Sequence, residues 1–498
     1  MKSTKKAGKD KIKSVPRKVA LNTVLSSGLK VTWSFVSFIA LSFITRLLGP
    51  EGFGAYSTIM AFFSMFSAVS DLGINQTVLR EIAKTENKKQ EARLISTAIS
   101  IKLAFTCFLF LASFVFVKFL NYSQDIKNGI VIVLIGLIFA SLYQSLTGVF
   151  QKRLLAYYVS MAELAGRIAN LIWVLVCYKL DLGLAWVVIG LILSWATTFS
   201  IVITLTKKRL DIGLDFNLKR IKKLLKEALP LGISAIVTFI YLRFDTIILS
   251  SIKGMEDVGI YNLAYKVFEN LAYFPAMFMG LILPLFSKNI FYNKNKFKNI
   301  ANKTFDAISL IAVGVSMGIF SLAPKVVSII GGDGFEESVI VLKIITLAIF
   351  GIFMGQFFNS ILISAKKQKN LLVIFVTAAI LNVVLNLIFI PKYSFYASAA
   401  ISVITELLVP LLSFLVVWKS IQYLPNIKSL IKIIIAGIVM SLFIIFTNKI
   451  SFGAENTFIK IGVLVFQVLI GGGLYLLTAY LLKAFSKKDF ESLITKNR

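Results

Sequence analysis

Residues 46–56 read RLLGPEGFGAY, and residues 256–261 read EDVGIY. Each stretch interrupts two long apolar runs. Glu51, Gly54 and Tyr56 match Glu256, Gly259 and Tyr261, and each pair is 205 residues apart (259 − 54 = 205). Two explanations fit such an echo. Either one unit occurs twice, or a common turn composition recurs between any two helices. The order and direction of the apolar runs decide between them.

The chain has 498 residues, 57% hydrophobic and 16% charged, with a mean hydropathy of +0.83. No single aqueous core needs that much apolar surface, so lipid is the solvent for much of the length. A span takes about 20 mainly apolar residues. That criterion predicts an all-α polytopic membrane protein with about fourteen transmembrane helices. Six lie at 22–48, 53–78, 94–119, 128–150, 155–177 and 182–206. Six more lie at 227–251, 262–287, 303–323, 338–364, 370–390 and 395–418, and the last two at 428–447 and 458–482.

Net charge is 54 − 24 = +30. The basic residues are distributed between apolar runs, not gathered in one basic domain, so they report membrane topology and not nucleic-acid binding. Every second connection is basic. Arg80, Lys84, Lys88, Lys89 and Arg93 form one such loop, Lys152 and Arg153 the next, and residues 207–226 a third. Lys288, Lys294, Lys296 and Lys298 follow, then Lys366, Lys367 and Lys369. Intervening loops hold one or two cations each. The basic tails at 1–21 and 483–498 are therefore expected on the cytoplasmic side of the plasma membrane. The first of them shows no cleavage site and reads as a tail, not a signal peptide.

The chain has no histidine and two cysteines, Cys107 and Cys177, both within apolar runs. Zinc centres, disulfide frameworks and histidine acid–base catalysis are excluded, and no phosphate-cradling GxxxxGK[ST] loop occurs. The chain is expected not to be an enzyme and to need no cofactor beyond Na⁺ or H⁺ as a coupling ion. In the 207–226 connection, Leu218, Ile221, Leu224 and Leu225 share one helical face opposite Lys219, Arg220, Lys222, Lys223 and Lys226. That pattern predicts an amphipathic cytoplasmic linker lying in the interface against anionic lipid.

The two motifs occupy equivalent places, each on the outer side after the first helix of a set of six. An even number of spans separates them, so the two sets point the same way. A parallel repeat about the membrane normal follows, with an N-lobe at 22–206 and a C-lobe at 227–418. Helices 13 and 14 follow at 428–482. In this reading glycine permits the tight turn and tyrosine anchors it at the interface.

The stretch RLLGPEGFGAYSTIMAFFSMFSAVSDLGINQTVLREIAK resembles the N-terminal signature of polysaccharide-export proteins. These are lipid-linked oligosaccharide flippases of the multidrug/oligosaccharidyl-lipid/polysaccharide exporter superfamily. The matching residues are Arg46, Leu48-Gly49-Pro50, Phe53-Gly54, Tyr56, Asp71-Leu72-Gly73 and Arg80. DTIILSSIKGMEDVGIYNLAYKVFE resembles the family's corresponding stretch through Asp245, Gly259, Tyr261 and Lys266. The resemblance implies two six-helix bundles with helices 13 and 14 packed outside, and a cleft whose lining helices carry Lys266 and Lys30. The loop REIAKTENKKQEAR after the second span departs from the major facilitator pattern.

An ionisable side chain at mid-bilayer costs roughly 2.5–3.5 kcal/mol on insertion scales, so each needs a partner or a hydrated cavity. Glu163 and Arg167, four apart, can pair within one helix, and so can Lys266 and Glu269, three apart. Arg243 and Asp245, two apart, point in nearly opposite directions and cannot satisfy each other. Lys30 and Lys102 both lie where they can snorkel to the inner surface. Lys102 is expected to do so, and Lys30 is assigned instead to the cleft. Arg46, at the outer end of its span, serves either a cap, a lipid or a substrate. Pro410 frees the carbonyl of Glu406, which makes either an ion site or a kink solvated by neighbouring helices. The candidate substrate-binding set is Lys30, Arg46, Arg243 and Lys266. The candidate coupling-ion or structural acids are Asp71, Asp245, Glu269 and Glu406.

Three functions remain open on these residues. The first is flipping of a polyprenyl-diphosphate-linked oligosaccharide from the cytoplasmic to the outer leaflet by alternating access. It needs cations for the phosphates and, without an ATPase loop, draws on membrane potential or an ion gradient. The second is a Na⁺- or H⁺-coupled multidrug or cation antiporter of the same fold, for which acids should dominate the cavity. The third is a non-transporting assembly factor for envelope glycan synthesis. A monomer is expected, with association with a glycan polymerase or transferase left open. Asn121-Tyr122-Ser123 forms a glycosylation tripeptide in an outer loop and carries little weight.

Overall fold

A computed structural model describes the backbone of residues 2–450 and 457–484. It describes side chains from residue 22 within those ranges, except at 23, 24, 27, 449, 450, 457 and 458. The side chains of the N-terminal tail and the C-terminal tail beyond 484 lie outside the described residues.

The described residues form thirteen α-helices and no strand. They are α1 (Lys2–Asp71), α2 (Ile74–Lys84), α3 (Lys88–Phe116), α4 (Gln124–Lys152), α5 (Ala156–Lys179), α6 (Leu184–Lys207) and α7 (Leu218–Ile252). Then come α8 (Met255–Asn289), α9 (Lys294–Ile330), α10 (Ser338–Ser364), α11 (Gln368–Ile421), α12 (Ile427–Ile450) and α13 (Thr457–Leu481). Twelve are long and apolar enough to cross a membrane. The apolar part of α1, Gly28–Asp71, has 44 residues. At 1.5 Å per residue that is about 66 Å, roughly twice the hydrocarbon thickness. Both α1 and α11 contain a break, at Gly49 (φ 64°) and Ser394 (φ 49°). Counting their halves separately gives 12 + 2 = 14 segments, in accord with the expected span number.

The break at Gly49 corrects the reading of the repeated motif. The turn is Leu48-Gly49-Pro50, not EGFGAY. Gly49 takes a conformation that any Cβ would strain, and Pro50 starts a new helix where its missing N–H is harmless. In the second copy Gly254 precedes α8, and it too lies 205 residues on (254 − 49 = 205). Glu51 and Glu256 therefore sit at helix starts, favourable for an anion. Tyr56 and Tyr261 are 7% and 0% exposed, so neither is an interfacial anchor. Sequence alone cannot tell a turn residue from the first helical residues after it, because both favour the same small and acidic types.

The expected second span at 53–78 is also shorter. Leu72 (φ 43°) and Gly73 (φ 76°) end α1, and α2 follows as a separate helix. Ile74, Thr77, Val78 and Ile82 of α2 are buried, the spacing of one helical face.

The chain divides into two compact units, Met1–Arg243 and Phe244–Arg498. In unit 1, α1 packs on α4 and α5, α4 and α5 pack on α6, and α2 caps α4. The core under α2 gathers Ile74, Ile82, Ile95, Leu146 and Phe150, together with Leu210, Leu224 and Ala228. Leu210 and Leu224 come from the connection read as an interfacial linker, and Ala228 from the start of the span after it. Of the linker's apolar face, Leu224 is buried in this core at 4% exposure and Ile221 and Leu225 pack at the core's edge, while Leu218 stays 80% exposed. Amphipathicity reports a buried face without saying what buries it. The docking rests on two glycines: a Cβ on Gly73 would lie 2.5 Å from the Ala228 carbonyl oxygen, and one on Gly232 would lie 2.6 Å from the Leu72 carbonyl carbon.

In unit 2, α10 packs on α8, α9 and α11. Helices α12 and α13 dock on α9 through Leu310, Val313, Ile433, Met440 and Tyr475. The Tyr475 hydroxyl donates to the Leu310 carbonyl at 2.7 Å. Lys325 Nζ donates to Gln467 Oε1 at 2.8 Å, and Gln467 in turn donates to Thr447 Oγ1 at 2.8 Å and Asn448 Oδ1 at 2.9 Å.

Candidate functional site

Ser26, Lys30, Trp33 and Ser37 recur at the spacing of one face of α1, a stripe about 16 Å long. The Oγ atoms of Ser26 and Ser37 and the indole Nε1 of Trp33 are buried and make no hydrogen bond among the described residues. Lys30 is exposed. Across from this stripe, α5 brings Arg167 over the Trp33 ring at 5.1 Å and places Glu163 within electrostatic reach of both Lys30 and Arg167. Arg167 also acts on the buried Tyr56, the first copy of the repeated tyrosine.

The expected Glu163–Arg167 pair within α5 does not form: neither residue takes part in an ion pair within 4 Å among the described residues. The indole face across the helix packing gives the guanidinium a different partner, a contact worth about 0.5–2 kcal/mol. Two cations thus share one carboxylate in a site with unmet hydrogen-bonding capacity. The arrangement favours an anionic, hydroxyl-rich ligand. Trp33 escaped the reading of charges because it carries none, although its position three residues after Lys30 placed it on the same face.

Lys102 does not snorkel. It is fully buried, with Nζ donating to Asp71 Oδ1 at 2.8 Å and to Asn75 Oδ1 at 2.7 Å. Asn75 extends the network by donating from Nδ2 to Gln144 Oε1 at 3.1 Å. Snorkelling needs a clear path along the helix to water. Here the end of α1 and the start of α2 lie over the ammonium and supply acceptors instead. Asp71 is therefore the partner of a buried lysine.

Arg46 Nη1 donates to the Ser42 carbonyl at 2.9 Å and to Ser42 Oγ, one turn back on its own helix. The structure therefore holds Arg46 against the helix wall by at least these two bonds.

In unit 2, Lys266 Nζ lies 3.0 Å from Glu269 Oε2, the pairing that the spacing allowed. Asp245 is buried and accepts from the Thr246 amide at 2.7 Å and from the Tyr261 hydroxyl. That hydroxyl lies 3.1 Å from Ser402 Oγ. The second motif tyrosine thus ties α7, α8 and α11 together around one carboxylate. Arg243 is half-buried. Glu406 is buried, and a Cβ on Gly351 would stand 2.4 Å from its carbonyl oxygen. Gly351 of α10 thus packs closely against the carbonyl that Pro410 leaves without its amide donor.

The chain matches the family model described as polysaccharide biosynthesis protein over residues 19–290, and the MatE model over residues 230–388. It is 27% identical over 343 residues to a putative O-antigen transporter of Shigella flexneri, covering 66% of this chain and 79% of that one. It is 23% identical over 390 residues to the capsular polysaccharide biosynthesis protein CapF of Staphylococcus aureus, covering 77% and 95%. Among solved structures, lipid II flippase MurJ in an inward closed conformation superposes with a TM-score of 0.73 at 15% identity, covering 91% of this chain and 98% of that one. An inward-facing multidrug resistance MATE family transporter of the MOP superfamily gives 0.63 at 13% identity, covering 80% and 98%. The two likenesses share one all-helical fold.

Proposed function

Because the chain belongs to the polysaccharide biosynthesis protein family, whose model spans more than half of it, we propose that it is a flippase for a lipid-linked oligosaccharide of cell-surface polysaccharide synthesis. The multi-pass membrane architecture supports transport, as do relatives named as O-antigen transporters. The observation that carries the substrate class is the α1–α5 site. There Lys30 and Arg167 face a single acid, Glu163, beside hydroxyl and indole groups without hydrogen bonds.

A polyprenyl-diphosphate glycan presents two phosphates and many hydroxyls. In this reading Arg167 offers a planar fork and Lys30 a point charge to the diphosphate. Ser26, Ser37 and Trp33 then supply hydrogen bonds to the hydroxyls. Lys266 and Arg243 are assigned to the same task in the C-terminal half, and Arg46 to the outer end. The lipid tail remains in the bilayer throughout. Movement from the cytoplasmic to the outer leaflet occurs by alternating access, driven by membrane potential or by a Na⁺ or H⁺ gradient.

Translocation of a fluorescent polyprenyl-diphosphate glycan in proteoliposomes tests the proposal. Lys30→Ala and Arg167→Ala should each slow it by about tenfold or more, the loss of one charge-assisted contact. Unchanged rates in both variants would sink the phosphate-clamp assignment. Uptake of a cationic dye by the same vesicles, in place of the glycan, would favour the antiporter reading.

A further inference from the structure

On the side of unit 1 that carries the basic loops, a cavity of about 640 Å³ opens between the start of α3 and the connection from α6 to α7. That volume lies in the range of small-ligand sites. Lys88, Lys89 and Arg93 line it from α3, Arg209 from the connection and Arg220 from α7. Asp211 and Asp215 are the acids in its lining, so five cations face two carboxylates.

The walls are built before any ligand arrives. Residues 211–217 form no helix, yet they are strapped to α3. The Gly213 amide donates to Ser96 Oγ at 3.1 Å, the Asp215 amide to Ser100 Oγ at 2.7 Å, and Thr97 Oγ1 to Asp215 Oδ2 at 2.9 Å. Arg220 neutralises Asp215 at 2.7 Å. Arg209 is fixed over the Phe150 and Tyr158 rings at 5.4 and 5.2 Å. Lys88, Lys89 and Arg93 are exposed and make no ion pair among the described residues. The rigid wall thus consumes two charges in one pair and leaves a cationic surplus on three side chains that structure does not require.

We propose that this cavity binds a phosphate group, carried either by an anionic phospholipid headgroup or by a small soluble anion. Phosphate suits it because guanidinium and ammonium donors converge from three elements on a concave, partly walled space. The cavity shares no lining residue with the α1–α5 stripe, and its occupant is proposed as distinct from the transported substrate.

The test uses the full-length protein and reads thermal stability, since a ligand of the native state raises the melting temperature by mass action. One arm adds inorganic phosphate to protein in neutral detergent, against sodium chloride at equal ionic strength. The other compares nanodiscs of phosphatidylcholine with nanodiscs containing phosphatidylglycerol. Wild type should gain several degrees in at least one arm. K88Q/K89Q/R93Q should keep the unliganded melting temperature and lose that gain. K294Q/K296Q/K298Q, which removes equal charge from unit 2, should retain it. A gain only in the lipid arm identifies a headgroup; a gain in both identifies phosphate itself. The proposal is overturned if neither arm stabilises wild type, if chloride does so equally, or if the K88Q/K89Q/R93Q variant responds as wild type does. Should the triple variant fail to fold, Arg93→Gln alone must weaken the response.

Discussion

Lys102 shows what one side chain demands of a membrane helix. Its ammonium has no exposure and holds two acceptors, Asp71 and Asn75. Removing one member of a buried pair strands the other, a loss of about 3–5 kcal/mol, far more than deleting a surface pair. Asp71→Asn should therefore lower the melting temperature of the purified protein sharply, and the double variant Asp71→Asn/Lys102→Met should recover much of it. A D71N protein as stable as wild type would remove the buried pair from the account. At this scale the sequence was partly legible. Lys266–Glu269 followed from spacing, whereas Lys102–Asp71 joins residues 31 apart and nothing local announces it. The Glu163–Arg167 spacing pointed to a pair that Trp33, a residue without charge, pre-empted.

Elements were legible where hydropathy is periodic and obscure where helix ends meet. Every expected apolar span has a helical counterpart, but α2 and the continuity of α7 into the basic connection were not readable. Both depend on which surface buries an amphipathic face. The corner between α1 and α2 and the start of α7 interlock through Gly73 and Gly232, with Arg80 Nη2 lying 3.2 Å from Glu227 beside them. Gly232→Ala must push the Leu72 backbone aside, and overpacking of this kind costs about 1–3 kcal/mol. A drop in melting temperature, with Gly213→Ala unaffected because its Cβ would meet open space, is the expected result.

The connection above this corner should also respond to acid. Arg220 holds the Asp215 carboxyl below its ordinary range, aided by Thr97 and the Asn217 amide, against an opposing effect of burial. A carboxylate whose folded pKa is depressed stabilises the fold above the unfolded value near 3.9, and that contribution fades as pH falls through the folded pKa. Hydrogen exchange at 211–217 should accelerate below about pH 4 after correction for intrinsic rates, and Asp215→Asn should make it fast at every pH.

For the whole molecule, two features of the sequence carried the architecture: alternation of basic loops and an echo at an interval of 205 residues. The echo was sound in place and mistaken in role. Its tyrosines are buried keystones, Tyr56 beside Arg167 and Tyr261 on Asp245, in helices that follow the turns. A pattern survives in sequence because position repeats, while the contacts of each copy diverge and are visible only in three dimensions.

The polar bonds inside the two units differ in when they become possible on the ribosome. Asp71 and Asn75 are translated 31 and 27 residues before Lys102, so that lysine meets its acceptors on arrival. Lys325 precedes Gln467 by 142 residues. At about 5–20 residues per second, roughly 7–30 seconds pass before α13 can deliver that acceptor. The bond from Lys325 to Gln467 therefore waits for α13, so the docking of α12 and α13 on α9 is timed by translation as well as by packing.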